Sequence, residues 1–128
     1  ELGRSSAPGQ GIHIGVSADD VRLPLELAMP VGMIISELVT NVLKYAFPGV
    51  RRGTATVSVQ RVGDRVVVGV DDDGVGFPHG FTANDGTSFG WELVRMLVLQ
   101  INGTVEATTD RGAHVRVAFQ LPSEGRRS

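Results

Sequence analysis

The stretch Arg65-Val66-Val67-Val68-Gly69-Val70-Asp71-Asp72-Asp73-Gly74-Val75-Gly76 decides how this chain is read. Its apolar run has the character of a buried strand, and the strand ends on acids followed by two glycines at alternate positions. Side chains alternate faces along a strand, so Val68, Val70 and Asp72 share one face. Asp72 is therefore expected to project toward the layer that covers the valines. A carboxylate in an apolar layer is costly unless it is hydrogen-bonded. Asp72 is the candidate acceptor for an amine, and Gly74 and Gly76 would let the backbone approach a ligand closely. A plain Asp-Gly strand end gives the same letters, so a second motif upstream bears on the choice.

That motif lies in Glu37-Leu38-Val39-Thr40-Asn41-Val42-Leu43-Lys44-Tyr45-Ala46-Phe47-Pro48. At about 100° per residue, Glu37, Asn41, Lys44 and Tyr45 fall on one stripe of a helix. Val31, Ile35, Leu38, Val39, Val42, Leu43 and Ala46 cover the opposite side. An amphipathic helix with a solvated face would read similarly. This polar face, however, is short of long charged residues, and asparagine is a mediocre helix former. An Asn at mid-helix, one turn after a Glu, suggests a side chain kept for its oxygen ligand.

Together the two segments resemble the ATP-binding domain of sensor histidine kinases, a branch of the GHKL ATPases (gyrase, Hsp90, histidine kinase, MutL) with the Bergerat fold. Glu37-x-x-x-Asn41-x-x-Lys44-Tyr45-Ala46 matches that family's asparagine box, and Asp72-x-Gly74-x-Gly76 its first glycine box. Thr87-Ser88-Phe89-Gly90 sits where the second glycine box belongs, and Asn102-Gly103-Thr104 and Gly112 to Phe119 are similar to its closing hairpin. The likeness runs from about Ile12 to Pro122 and looks most like a bacterial subgroup with a short lid. It implies that Asp72, Gly74 and Gly76 hold adenine. It implies that Asn41, Lys44, Tyr45, Thr87, Ser88, Phe89 and Gly90 bind the rest of the nucleotide, that Asn41 ligates Mg²⁺, and that Glu37 is catalytic. Three positions depart from the family pattern. Ser88 replaces a glycine of the second box, Ala113 stands where a Thr usually assists the adenine contact, and Tyr45 replaces a common His.

The resemblance further implies a histidine kinase that passes the γ-phosphoryl to a histidine on a separate dimerisation domain, with a response regulator downstream. The alternatives are an anti-sigma-type GHKL serine kinase and a non-catalytic nucleotide-sensing module. His13 and His114 sit in expected strands and His79 follows Pro78, so each reads as a surface residue rather than a phosphoryl acceptor. The expected setting is cytoplasmic for the domain, with the parent protein either soluble or membrane-anchored.

Composition bounds the rest. The chain has 128 residues, the size of one domain. A net charge of −2 gives no sign of nucleic-acid or anionic-membrane binding. The absence of cysteine excludes disulfides, thiol catalysis and cysteine-ligated metals. No apolar run approaches the ~20 residues needed to span a bilayer. No P-loop and no eukaryotic-type kinase motif occurs, and Asp71-Asp72-Asp73 lacks the spacing of a calcium loop.

Along the chain, residues 1–10 read as a linker remnant, 11–122 as the domain and 123–128 as a polar tail. The start at Glu1 without Met suggests a piece of a longer protein. Pro30 is expected to open the first helix, and Pro48-Gly49 to stop it. Strands are predicted at Ile12–Val16, Thr54–Arg61, Arg65–Asp72, Thr104–Thr109 and His114–Leu121, with a second helix over Gly90–Ile101. Pro78–Phe89 has no period and reads as a mobile loop over the pocket. Trp91 is expected in the core or at the lid's rim. The alternation predicts an α/β two-layer sandwich: a mixed, mostly antiparallel sheet of about five strands covered on one face by helices.

Overall fold

The computed structural model describes residues 11–49, 52–83 and 90–122. Five strands form one sheet in the order β1-β2-β3-β5-β4. They are β1 (Ile12–Ala18), β2 (Gly53–Val62), β3 (Arg65–Asp72), β4 (Thr104–Thr109) and β5 (Ala113–Gln120). β1 runs parallel to β2, and every other pairing is antiparallel. A parallel neighbour needs a long crossover, and the first helix supplies it. The sandwich expected from alternation is therefore what forms.

Alternation decides which face each residue joins. Ala55 and Val57 of β2, Val66, Val68 and Val70 of β3, and Val115, Val117 and Phe119 of β5 are all buried under the helices. Ile34, Leu38, Trp91, Val94 and Val98 come down from the helices to meet them. Val16, on the same parity as Ile12 and Ile14, is exposed on the edge strand.

Helix α1 spans Leu25–Asn41 and continues as a π-helical turn, Val42–Ala46. It begins five residues before the expected start at Pro30. Pro24 is the N-cap, and its carbonyl accepts the N–H groups of Leu27 and Ala28, each at 2.9 Å. Pro30 sits inside the helix, buried, and forfeits one intrahelical bond. By length and composition Leu25–Ala46 is apolar enough to cross a bilayer, contrary to the expectation of no such run. Core helices of soluble domains pass the same test, and here Val31, Ile34, Leu38 and Val42 pack into the core. Helix α2 spans Trp91–Gln100 behind Gly90, which is left-handed at φ 72°.

The first part of the supposedly mobile loop is packed. Phe81 stacks on Phe77 with centroids 4.7 Å apart, Ala83 is buried, and Arg95 of α2 donates to the Ala83 carbonyl at 3.2 Å. The remainder of that loop, including Thr87, Ser88 and Phe89, lies outside the described residues, as do the expected linker and tail.

Candidate functional site

A cleft opens between the sheet and the helix layer. Its walls include Leu38, Asn41, Val42 and Tyr45 from the first helical unit, Val70 and Asp72 from β3, and Gly76, Phe77 and Trp91. It is largely apolar with a few polar groups, the usual make-up of a small-molecule site.

Asp72 is the one buried charged residue among those described, at 6% exposure. The parity of β3 points it inward, as the sequence predicts. Its Oδ1 accepts the N–H of Gly74 at 2.8 Å and the N–H of Ala113 at 3.1 Å. Both bonds end on one oxygen. Oδ2 has no protein donor among the described residues, so it is left for a ligand donor. The turn that supplies Ala113 fits only because of Gly112. That residue has φ 128°, and a Cβ there would fall on the Asp72 carbonyl.

Asn41 approaches from the helix side. Its side-chain Nδ2 is buried without a hydrogen-bond partner. The two ends of an amide are told apart only by their hydrogen bonds, so this orphaned end presents either an N–H or an oxygen to the cleft. Directly after Asn41 the helix widens into its π turn, a feature frequent at functional sites. The turn carries the helix end onto the glycine loop. Val75 donates its N–H to the Ala46 carbonyl at 2.9 Å, and a Cβ on Gly74 would collide with that same peptide group. The two motifs read separately in the sequence are thus bonded to each other.

The remaining expected residues divide. Tyr45 and Gly76 line the cleft. Glu37 lies at the N-terminus of α2, where a Cβ on Gly90 would meet its carboxylate. Such a helix end carries partial positive charge. Lys44 is exposed and lies outside the cleft's lining.

Sequence reasoning missed the aromatic floor. Phe77 meets Trp91 edge-on at 6.0 Å, and Phe81 tilts against it at 5.5 Å. The available signal was Phe77-Pro78 directly after the glycines. It also missed the Ala113 amide, which joins residues 41 apart and has no local signature.

Comparison with known proteins places this geometry. The family of histidine kinase-, DNA gyrase B- and HSP90-like ATPases matches residues 27–125, and the chain belongs to it. It is similar to the sensor histidine kinase PdtaS of Mycobacterium tuberculosis, with 35% identity over 92 residues, covering 70% of this chain and 18% of that protein. It is similar to blue-light-activated histidine kinase 2 of Erythrobacter litoralis, with 33% identity over 102 residues, covering 78% and 30%. The solved structure of the Erythrobacter litoralis EL346 blue-light activated histidine kinase superposes with a TM-score of 0.82 at 30% identity, covering 90% of this chain and 37% of that one. The chain therefore corresponds to the ATP-binding domain of a histidine kinase and spans less than a third of the curated relatives it matches. ATP binding belongs to that family.

Proposed function

We propose that this chain holds Mg-ATP in the cleft and presents the γ-phosphoryl to a histidine on a separate dimerisation domain of its parent kinase. A response regulator would then receive the phosphoryl on an aspartate. In this reading residues 11–122 are one domain, working in the cytoplasm whether its parent is soluble or membrane-anchored. The observation that carries the reading is the convergence of Asp72 and Asn41 on one cleft, from sheet and facing helix, with one end of the buried Asn41 amide met by no protein group.

The roles follow from chemistry. Asp72 Oδ2 accepts from the exocyclic amine of adenine, while Gly76 lines the cleft beside it and Gly74 lets the loop close onto the Ala46 peptide. The aromatic floor and Val70 exclude water from it. Tyr45, Lys44 and the Thr87–Gly90 segment bind ribose and phosphates, Lys44 swinging in from solvent and Gly90 opening α2. Asn41 suits one position on Mg²⁺, an ion that prefers oxygen ligands and keeps several waters. The bound ion would neutralise charge on the phosphates.

In phosphoryl transfer the protein mainly positions groups. A nitrogen of the incoming imidazole forms its bond to phosphorus as the bond to the ADP oxygen breaks. The proton on the imidazole's other nitrogen passes to Glu37, one turn from Asn41. None of the chain's three histidines lines the cleft, so the acceptor comes from elsewhere. Mixing the chain with a histidine-bearing helical hairpin and radiolabelled ATP tests this. Acid-labile label on the hairpin is the expected result; acid-stable label on serine would overturn the reading.

A further inference from the structure

We propose that His114, on the sheet face opposite the cleft, is a positioning residue for nucleotide binding: its imidazolium braces Asp71 to the β4–β5 turn and so holds the Ala113 amide and the Gly112 backbone against Asp72. The proposal rests on the nucleotide reading above and adds a group that no motif of the sequence marks.

The geometry is specific about protonation. His114 Nδ1 lies 2.7 Å from Asp71 Oδ1, and Nε2 lies 2.8 Å from the Asp110 carbonyl. A carboxylate and a carbonyl only accept. A neutral imidazole has a single N–H, so both contacts hold together only when the ring carries two protons. Removing one proton sets two lone pairs against each other, and one end of the brace must open.

Each end of the brace leads to Asp72. Asp71 is its neighbour in β3. Asp110 donates its N–H to the Gly112 carbonyl at 2.9 Å and closes the turn. Gly112 packs on the Asp72 carbonyl, and the Ala113 N–H reaches Asp72 Oδ1. The charged groups facing the ring are few. Asp71 faces it from β3. Arg116 of β5 donates to the same Asp71 oxygen at 2.8 Å. On β4 the partner across from His114 is the uncharged Thr108, while Glu106 pairs with Arg116 one step further. The turn supplies the Asp110 carbonyl and carries the exposed Arg111. In keeping with this surround, the ring titrates above its ordinary value of 6.5, chiefly through the bond to Asp110 and next through that to Asp71, against smaller opposition from burial and Arg116.

Proton and nucleotide therefore favour the same arrangement. Nucleotide should bind best with His114 charged and more weakly as pH rises through its titration. Linkage makes the effect reciprocal: bound nucleotide must raise the pH at which His114 loses its proton.

The test is calorimetric titration of the 128-residue chain with ADP between pH 6 and 9, for the native protein, His114→Gln and Asp72→Asn. Dividing the His114→Gln dissociation constant by the native one at each pH removes the ionisation of ADP itself. We expect a ratio of about five at pH 6, the low end of coupling between sites, falling toward one at pH 9. A ratio that does not change with pH overturns the proposal. Independently of any variant, the NMR titration of the native His114 ring should move to higher pH on saturation with ADP, with His13 as the internal reference. An unmoved His114 midpoint overturns the proposal as well. Native affinity in Asp72→Asn would remove the nucleotide pocket, and this proposal with it. Lost binding in Asp72→Asn with a flat His114→Gln ratio would remove the His114 role alone.

Discussion

Asp71 and Asp72 are adjacent, chemically identical, and placed on opposite faces of one strand. Asp71 is clasped by two side chains on the open face, with Arg116 and His114 both bonded to its Oδ1. Asp72 is buried in the cleft and held by two backbone amides. Asp73, next in line, closes the strand end by accepting from the Thr54 N–H at 2.9 Å and the Thr54 hydroxyl at 3.0 Å. Side chains that can turn or move meet Asp71. Fixed backbone donors meet Asp72, so its unbonded oxygen points where the fold dictates. An acid held by backbone amides keeps capacity for a ligand, whereas an acid paired with side-chain donors serves the scaffold.

The largest expected effect breaks the cleft side by its backbone. Gly112→Ala forces a Cβ onto the Asp72 carbonyl at a left-handed φ, and urea denaturation should register a loss of about 3 kcal/mol. Next come the two acids themselves. Asp72→Asn should weaken ATP binding on the order of a hundredfold, since a charge-assisted bond is lost and an amide donor now faces the base. Asp71→Asn should leave binding within a few-fold of native and cost at most about 1 kcal/mol of stability, because its partners are partly solvated. Equal effects of the two on ATP affinity would erase the distinction between the faces. On the helix side, Asn41→Asp should reduce Mg²⁺-dependent phosphoryl transfer by roughly tenfold or more, while Mg²⁺-free nucleotide binding changes less; a transfer assay with and without EDTA reads this.

The smallest effect concerns pH. His114 is raised in the folded state, so its contribution to stability is complete below its ordinary value and fades as pH rises through the folded one. The melting-temperature gap between native protein and His114→Gln should therefore narrow from pH 6 to pH 9.

Much of this was legible in the sequence because it depends on local periodicity. The parity of Val68, Val70 and Asp72 is set by the pleat alone, and it put the acid in the cleft. The stripe of Glu37, Asn41, Lys44 and Tyr45 follows from regular helical pitch; it put Asn41 and Tyr45 on the same cleft, but Lys44, inside the π-helical turn, stays exposed and outside the lining. Features that depend on distant partners were not legible. Pro30 looked like a helix start because its ring suits one; the structure begins the helix at Leu25, behind an N-cap at Pro24, and buries Pro30 inside. The Pro78–Ala83 segment lacks a period, yet Phe81 anchors it by stacking on Phe77 and packing against Trp91. His114 read as a surface residue; the pairing of β3 with β5 sets Asp71 beside its Nδ1, and the β4–β5 turn brings the Asp110 carbonyl to its Nε2.

Asp72, on this reading, recognises an amine on the base. That recognition is tested most directly by the ratio of ATP to ITP affinity in the native chain and in Asp72→Asn, since inosine carries an oxo group where adenine carries the amine. The native chain should prefer ATP by roughly tenfold or more, and the variant should bind the two near parity. The same ratio in both proteins would contradict it.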